Sequence, residues 1–478
     1  MSNNAQLSAR ERIASLLDEN SFVEVGALVT KRSTDFNLEQ KEIPNDGVIT
    51  GYGLIDGNPV YVFSQDSSAL GGSVGEMHAK KITRLYDLAL KAKAPVIGLI
   101  DSSGLRLQES SDALNGLGEI YAKQVMASGV IPQITAVFGN CGGGLAVMAS
   151  LSDFSFMEEK SSRLFLQTPN SLLGNHKQKL DTSGADFNAK SGNVDYVGAN
   201  ELEVLNKIRE LISILPSNNE EGGRVSESSD NLNRLVPNFS SELEDTKSAL
   251  IDISDNYYFY EIKADYAKEM VTGFIRLNGV TVGAVANRTK ILDENGKATE
   301  QFDNVLTTDG CKKAASFVRF CDAFNIPVLT LTNVSGYKAD VNEEKTIAKA
   351  SAELAYAFAD ATVPKVNVVI GKAYGSAYVT MNSKHIGADY VFALPSAEIG
   401  MMDAKLAAQI MYDGSSAEVI NEKAEEYAAL QNAALSAAKR GYVDNIIEPD
   451  TVRKHIIYAF EMLYSKYEER PFKKHGSF

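Results

Sequence analysis

At 478 residues the chain is long enough for two or three domains, and 44% hydrophobic with 23% charged residues is an ordinary globular balance. A formal net charge of −15 argues against a nucleic-acid footprint and against attraction to an anionic membrane surface. Three cysteines with no Cys-x-x-Cys pair, and only five histidines, speak against a disulfide framework or a zinc site, so a reducing compartment and no metal are expected. The start, Met1-Ser-Asn-Asn-Ala-Gln, has no basic-then-apolar signal pattern, and no long apolar run occurs, so the expected location is the cytoplasm.

In chain order, Ser8-Ala-Arg-Glu-Arg-Ile-Ala-Ser-Leu-Leu17 predicts a short amphipathic helix with a capping box from Ser8 to Glu11. Phe22-Val-Glu-Val follows, then a polar stretch to Pro44. Residues 47–63 read as two strands around the turn Asp56-Gly57-Asn58. Gly71-Gly-Ser-Val-Gly-Glu-Met-His78 is expected to open a helix running to about Lys93. Pro95-Val-Ile-Gly-Leu-Ile100 reads as a buried strand ended by Asp101-Ser-Ser-Gly104. A helix from about Leu114 to Ala127, a strand over Gln133–Phe138, the turn Gly139-Asn-Cys-Gly-Gly-Gly144 and a further helix come next. Strands alternating with helices predict a layered α/β domain. From Pro216 to about Thr246 the chain is polar and Gly/Ser-rich, which marks an interdomain linker, with a long active-site loop as the competing reading. The expected domains are 1–218 and 247–478, joined by 219–246.

Beyond this stretch the first pattern returns. Gly51-Tyr-Gly-Leu-Ile-Asp-Gly is answered by Gly273-Phe-Ile-Arg-Leu-Asn-Gly, and Ala94-Pro-Val-Ile-Gly-Leu-Ile by Ile326-Pro-Val-Leu-Thr-Leu-Thr. Pro95 and Pro132 stand 37 residues apart, as do Pro327 and Pro364. The turn Gly142-Gly-Gly144 then corresponds to Gly375-Ser-Ala377, one residue further along. Shared elements in shared order at shared spacing predict an internal duplication.

Each half thus places a small-residue turn between a buried strand and a helix. Backbone N–H groups converging at Gly143 and Gly144 would form an oxyanion hole, and a second hole at Ser376 and Ala377 would serve a different oxygen. Two holes fit a reaction with two carbonyl groups that each gather negative charge. No convincing nucleophile accompanies them: Cys141 has no histidine nearby in sequence, and His78 and His385 have no evident partner. Gly71, Gly72 and Ser73 before a helix could hold a ligand phosphate, or could simply pack. Arg106 could position substrate, or line an interface.

At these residues the chain resembles the carboxyltransferase subunits of biotin-dependent acyl-CoA carboxylases and decarboxylases, the propionyl-CoA carboxylase β and methylmalonyl-CoA decarboxylase α family. The matching stretches include Asp46-Gly-Val-Ile-Thr-Gly-Tyr-Gly53, Gly71-Gly-Ser-Val-Gly-Glu-Met-His78, Ala127-Ser-Gly-Val-Ile-Pro-Gln133, Ala373-Tyr-Gly-Ser-Ala-Tyr378 and Ser383-Lys-His-Ile-Gly-Ala-Asp389. The resemblance implies two tandem crotonase-like (ββα-superhelix) domains and a homohexamer, a trimer of dimers. It implies that the first hole, at Gly143 and Gly144, holds the thioester oxygen of an acyl-CoA enolate. The second, at Ser376 and Ala377, would hold the ureido oxygen of carboxybiotin. Gly71, Gly72, Ser73, Gly104, Arg106, Gly142, Gly336, Tyr374 and Gly375 are the expected lining for coenzyme A and biotin. No Met-Lys-Met biotin-attachment pattern occurs in the chain. Biotin is therefore expected on a separate carrier protein or domain, with a biotin carboxylase or the membrane subunits of a sodium-pump decarboxylase as further partners.

The sequence departs from the family pattern around both pockets. Ser376 stands where the family has glycine, so the second hole requires that residue to hold a negative φ. Val334-Ser-Gly-Tyr337, Asp101-Ser-Ser-Gly-Leu-Arg106 and the polar, helix-prone Val341–Ala350 also differ. The expected activity is carboxyl transfer between biotin and a short acyl-CoA, either propionyl/methylmalonyl or acetyl/malonyl. The alternatives are a catalytically altered scaffold subunit and a crotonase-type hydratase or thioesterase.

Overall fold

A computed structural model describes residues 6–32, 43, 45–222 and 225–471. The polar stretch before Pro44 therefore lies largely outside the described residues. The chain divides into two compact units, Met1–Gly222 and Gly223–Phe478.

In the first unit, α1 (Ala9–Leu16) begins with the expected capping box: Ser8 Oγ accepts from the Glu11 N–H, and the Glu11 carboxylate accepts from the Ser8 N–H. Its inner face carries Arg12, which bonds Glu201 and Asp101 in a buried ion triad. The sheet comprises β1 (Val23–Glu24), β2 (Val48–Ile55), β3 (Asn58–Gln65), β4 (Val96–Ser102), β5 (Gln133–Gly142), β6 (Phe154–Glu158), β7 (Arg163–Phe165) and β8 (Tyr196–Gly198). Its order is β1-β2-β3-β4-β5-β6-β8, with β7 paired to the end of β5. The first three strands are antiparallel and the rest parallel. Every residue of β4 is buried: residues 96–100 are the apolar run that a parallel strand covered on both faces requires, and Asp101 and Ser102 at its end are paired with Arg12 and Gly72 O. α2 (Glu76–Ala92) and α3 (Ser110–Ala127) cover the sheet, packing Ile82, Leu85 and Ile120 against Val96 and Val137. α3 starts four residues before its expected position, because Ser110-Ser-Asp supplies a polar first turn without apolar periodicity.

The second unit repeats this plan. β9 (Phe259–Ile262), β10 (Met270–Leu277) and β11 (Val280–Asn287) are antiparallel. An exposed hairpin, β12 (Lys290–Leu292) with β13 (Ala298–Gln301), is inserted next. Then β14 (Val328–Val334), β15 (Lys365–Tyr374), β16 (Tyr390–Ala393), β17 (Glu398–Gly400) and β18 (Asn445–Ile446) complete the sheet in parallel. Its order, β9-β10-β11-β14-β15-β16-β18 with β17 on β15, matches the first sheet strand for strand. The hairpin turns match as well. Asp56-Gly57 (φ 48 and 77) and Asn278-Gly279 (φ 51 and 77) both take the left-handed pair of angles that a two-residue turn between antiparallel strands favours.

The boundary between the units falls at Gly222 and Gly223, inside the expected linker 219–246. The remainder of that stretch does not hang free. The Val236 N–H donates to Asp450 O at 2.9 Å, Val225 forms a bridge with Val280, and Val236 and Phe239 are fully buried. Among the described residues no helix is long and apolar enough to cross a membrane.

Candidate active site

β5 and β15 are ten residues each, and each ends in a glycine turn that starts a helix. In the first unit Gly143 precedes α4 (Gly144–Ser150) with φ 60 and ψ −127, a conformation that only glycine adopts without strain. A Cβ on Gly142 would stand 2.7 Å from the Phe165 ring, and one on Gly144 would stand 2.5 Å from Leu117 Cδ2. Three glycines in succession are therefore required for three separate reasons.

The bonding of this turn corrects one expectation. The Gly143 N–H donates to Phe165 O at 2.8 Å, extending the β5–β7 ladder, and is not available to a ligand. Gly143 O accepts from the Ala146 N–H at 3.0 Å, and Gly144 O accepts from the Tyr121 hydroxyl. What remains on the two residues is the Gly144 N–H, a first-turn helix donor with no intrahelical acceptor. A Cβ on Gly143 would meet nothing within 4 Å, so the outer side of the turn is open.

In the second unit the helix Gly375–Thr380 follows β15, and the left-handed residue is Gly375, with φ 60. The duplication therefore pairs Gly143 with Gly375 at the same offset of 232 residues that relates Pro95 to Pro327, and the expected one-residue shift is absent. Gly144 corresponds to Ser376, and Leu145 to Ala377. Ser376 is exposed, lies within the helix and does not have a positive φ, so serine keeps its N–H there without backbone strain. Ala377 is buried. Tyr374 is buried too, and its hydroxyl bonds the Glu398 carboxylate; burial first, then that carboxylate, raises the phenol above its ordinary pKa.

Other expected residues gather at the same end of each sheet. Ser102 lies in register with Cys141, and Val334 with Ala373, so the loop after β4 neighbours the Gly142–Gly144 turn and the loop after β14 neighbours the Gly375 turn. These are the carboxyl ends of parallel strands, where open α/β sheets bind ligands. The loops themselves are equivalent: Val74 bridges Leu105 just as Leu306 bridges Tyr337. Gly104 (φ 107) and Gly336 (φ 158) stand at matching positions, with nothing within 4 Å of a Cβ on either.

Gly71, Gly72 and Ser73 do not head a helix, contrary to the sequence reading. Leu70–Gly72 is an isolated 3-10 turn, and α2 begins later, after Gly75. The carbonyls of Gly71 and Gly72 accept from the Ser103 N–H (2.8 Å) and the Ser102 hydroxyl (2.7 Å), which packs this turn onto the end of β4. The amino end of α2 is already occupied, because the Glu76 N–H donates to Glu109 Oε2 at 2.6 Å. Arg106 is equally committed. Its guanidinium donates to Asp46 Oδ1 (2.6 Å), Glu109 Oε1 (2.7 Å) and Ser73 O (2.8 Å), and it is 2% exposed. It holds the loop after β4 in place and does not face a ligand. Burial raises the Asp46 carboxyl above its usual range, and Arg106 partly offsets this.

None of the candidate nucleophiles or bases is poised. His78 is fully buried, bonded to Asp46 O and Gln65, and its pKa is lowered to about 3, chiefly by burial. His385 packs its ring against Tyr378 and Tyr442. Cys141 is fully buried, and burial pushes its thiol up to about 12. A Cys141→Ala variant is therefore expected to keep turnover within about twofold of the parent in a steady-state assay, since a buried neutral thiol is no nucleophile.

Tyr121, Phe165 and Glu109 lie in none of the matching stretches named above, and Asp46 opens one of them without a role of its own being legible there. The one available signal is that Leu117 and Tyr121 stand four apart and so share a face of α3.

The carboxyl transferase domain model matches residues 2–478. The propionyl-CoA carboxylase beta chain of Roseobacter denitrificans is 41% identical, with 99% of this chain and 93% of that protein covered. The methylmalonyl-CoA decarboxylase subunit alpha of Propionigenium modestum is 40% identical over the same shares. A crystal structure of transcarboxylase 12S, a hexamer with hydrolysed methylmalonyl-coenzyme A bound, superposes with a TM-score of 0.91 at 37% identity, covering 99% of this chain and 93% of that one.

Proposed function

The chain belongs to the carboxyl transferase family, and from that premise we propose that it moves a carboxyl group between biotin on a partner protein and a short acyl-CoA. Propionyl/methylmalonyl-CoA is the favoured pair, after the substrates named for its relatives. The observation that carries the reading is the same glycine turn at the head of a helix in both crotonase-like domains, Gly143-Gly144 and Gly375-Ser376.

In the first domain the Gly144 N–H donates to the thioester oxygen of the acyl-CoA as its α-carbon becomes an enolate. The open side of Gly143 and Gly104 leaves room for the thioester. In the second domain the N–H groups of Ser376 and Ala377 serve the ureido oxygen of biotin, beside Gly336, Tyr374 and Gly375. Biotin would supply the carboxyl group and take up the α-proton in exchange, or accept the carboxyl group and give up its proton in the reverse direction. Gly71, Gly72, Ser73 and Arg106 shape the acyl-CoA side from behind by fixing the loop after β4. Fixed backbone donors of this kind act without reorganising, and one of them contributes about 3 kcal/mol in a transition state.

The hydratase and thioesterase readings need a positioned acid or base near the first turn. His78 and Cys141 are buried and neutral, which disfavours both. The scaffold reading rested on Ser376 and on the altered biotin-side segment at residues 341–350; the negative φ of Ser376 removes the first of these motives. A homohexamer that meets a biotin carboxyl carrier protein completes the proposal, with a biotin carboxylase or membrane pump subunits as the further partners.

Purified protein supplied with free biotin and methylmalonyl-CoA or malonyl-CoA is expected to release CO2 only when biotin is present. Absence of turnover with every short dicarboxylic thioester, under conditions where a relative turns over, refutes the reading.

A further inference from the structure

The two turns are not held alike. Gly142, Gly143 and Gly144 form a run with no side chains, the loosest backbone a turn can have. Its geometry must come from outside. Phe165 contributes its ring against Gly142 and its carbonyl to the Gly143 N–H. Tyr121, from α3, contributes the third hold: its hydroxyl donates to Gly144 O, and the hydroxyl oxygen would stand 3.0 Å from a Cβ on Gly144. In the second domain the turn has a single glycine, and the residue 232 positions after Tyr121 is Glu353, on the helix Ile347–Asp360. Among the described residues the Glu353 side chain makes no hydrogen bond. The stiffer turn has no such clamp.

We infer that Tyr121 is a positioning residue for the acyl-side turn, its hydroxyl fixing the Gly144 peptide so that the neighbouring N–H stays aimed at the thioester oxygen. This rests on the carboxyltransferase reading above. Tyr121 takes no part in proton transfer: it is a neutral phenol whose pKa burial raises, and its proton is spent on Gly144 O. Its loss frees the turn to sample other orientations, in which the donor points away from the developing charge. The effect therefore falls on the transition state more than on ground-state binding.

The test is Tyr121→Phe, which removes one oxygen and keeps the ring packed against the core of the first unit. With free biotin and methylmalonyl-CoA, kcat is expected to fall roughly tenfold, while KM for either substrate and the melting temperature stay close to the parent values. Glu353→Gln, at the equivalent place in the second domain, is expected to leave kcat unchanged. Amide hydrogen exchange of the peptide spanning residues 142–146, measured without substrate, is expected to quicken in Tyr121→Phe and not in Glu353→Gln. If the parent enzyme is active and Tyr121→Phe matches it in kcat, or shows only a lowered melting temperature, the positioning role is wrong. An inactive parent refutes the carboxyltransferase reading instead, and the exchange measurement still decides whether Tyr121 holds the turn.

Discussion

Replacing Arg106 with methionine should destabilise the first unit by about 3–5 kcal/mol, the usual result of removing one partner from a buried charge cluster. Arg106 is the cation between Asp46 and Glu109, both with fully buried side chains. Without it the two carboxylates face each other with only backbone donors left, the N–H groups of His78 and Glu76. Methionine fills much of the volume, so the loss is electrostatic and not a cavity. For a unit of this size the melting temperature is expected to fall by about 10 °C. The deficit has a predictable pH dependence. Burial already raises Asp46, and Arg106 opposes that rise. In the variant burial and the facing Glu109 carboxylate still raise Asp46, opposed by the His78 N–H but no longer by Arg106, so folded Asp46 keeps its proton to higher pH than unfolded Asp46. The deficit is then small in acid and grows as pH rises through and beyond the carboxylate range. Adding Asp46→Asn should recover part of the stability at neutral pH. Thermal melts across pH check both statements, and a pH-independent deficit would contradict them.

Ser376→Pro should cost carboxyl transfer about a hundredfold while leaving the fold intact. Proline is tolerated in the first turn of a helix because its missing N–H has no intrahelical acceptor anyway. Gly375 before it has no Cβ to clash with the proline ring. Ser376 is exposed, and among the described residues its hydroxyl makes no hydrogen bond, so the substitution removes little besides the backbone donor. Losing one donor to a developing oxyanion typically costs about 3 kcal/mol, which sets that factor. Ser376→Ala keeps the N–H and should retain near-parent activity. Equal activity in the proline and alanine variants would show that the Ser376 N–H is not a catalytic donor. Equal loss in both would move the role to the hydroxyl.

The duplication was legible because proline and apolar strand residues recur at a fixed spacing, and strand order then follows from the repeated plan. The position of the turn within it was not. Aligning the first glycines of Gly142-Gly-Gly144 and Gly375-Ser-Ala377 misplaces the match by one residue, since the fold is keyed to the single left-handed residue before each helix. A run of three glycines does not disclose which member takes that angle. The involvement of Gly143 in a strand ladder was equally hidden, because its acceptor, Phe165, sits on the short strand β7. Arg106 looked like a ligand contact because its partner Asp46 lies 60 residues earlier, and nothing in either stretch shows that the two side chains meet. The stretch to 246 read as a free linker because Val236 and Phe239 are isolated apolar residues among polar ones. Two such residues suffice to dock a segment, yet they create no periodicity.

The most direct test of the account is transfer of label from methylmalonyl-CoA carrying 14C in its free carboxyl group to biotin, in the parent protein and in Ser376→Pro. Acid-labile label on biotin is predicted with the parent, with unlabelled propionyl-CoA formed alongside, and about a hundredfold less with the variant. Label that never reaches biotin, with coenzyme A released as the free thiol, would contradict carboxyl transfer and point to thioester hydrolysis.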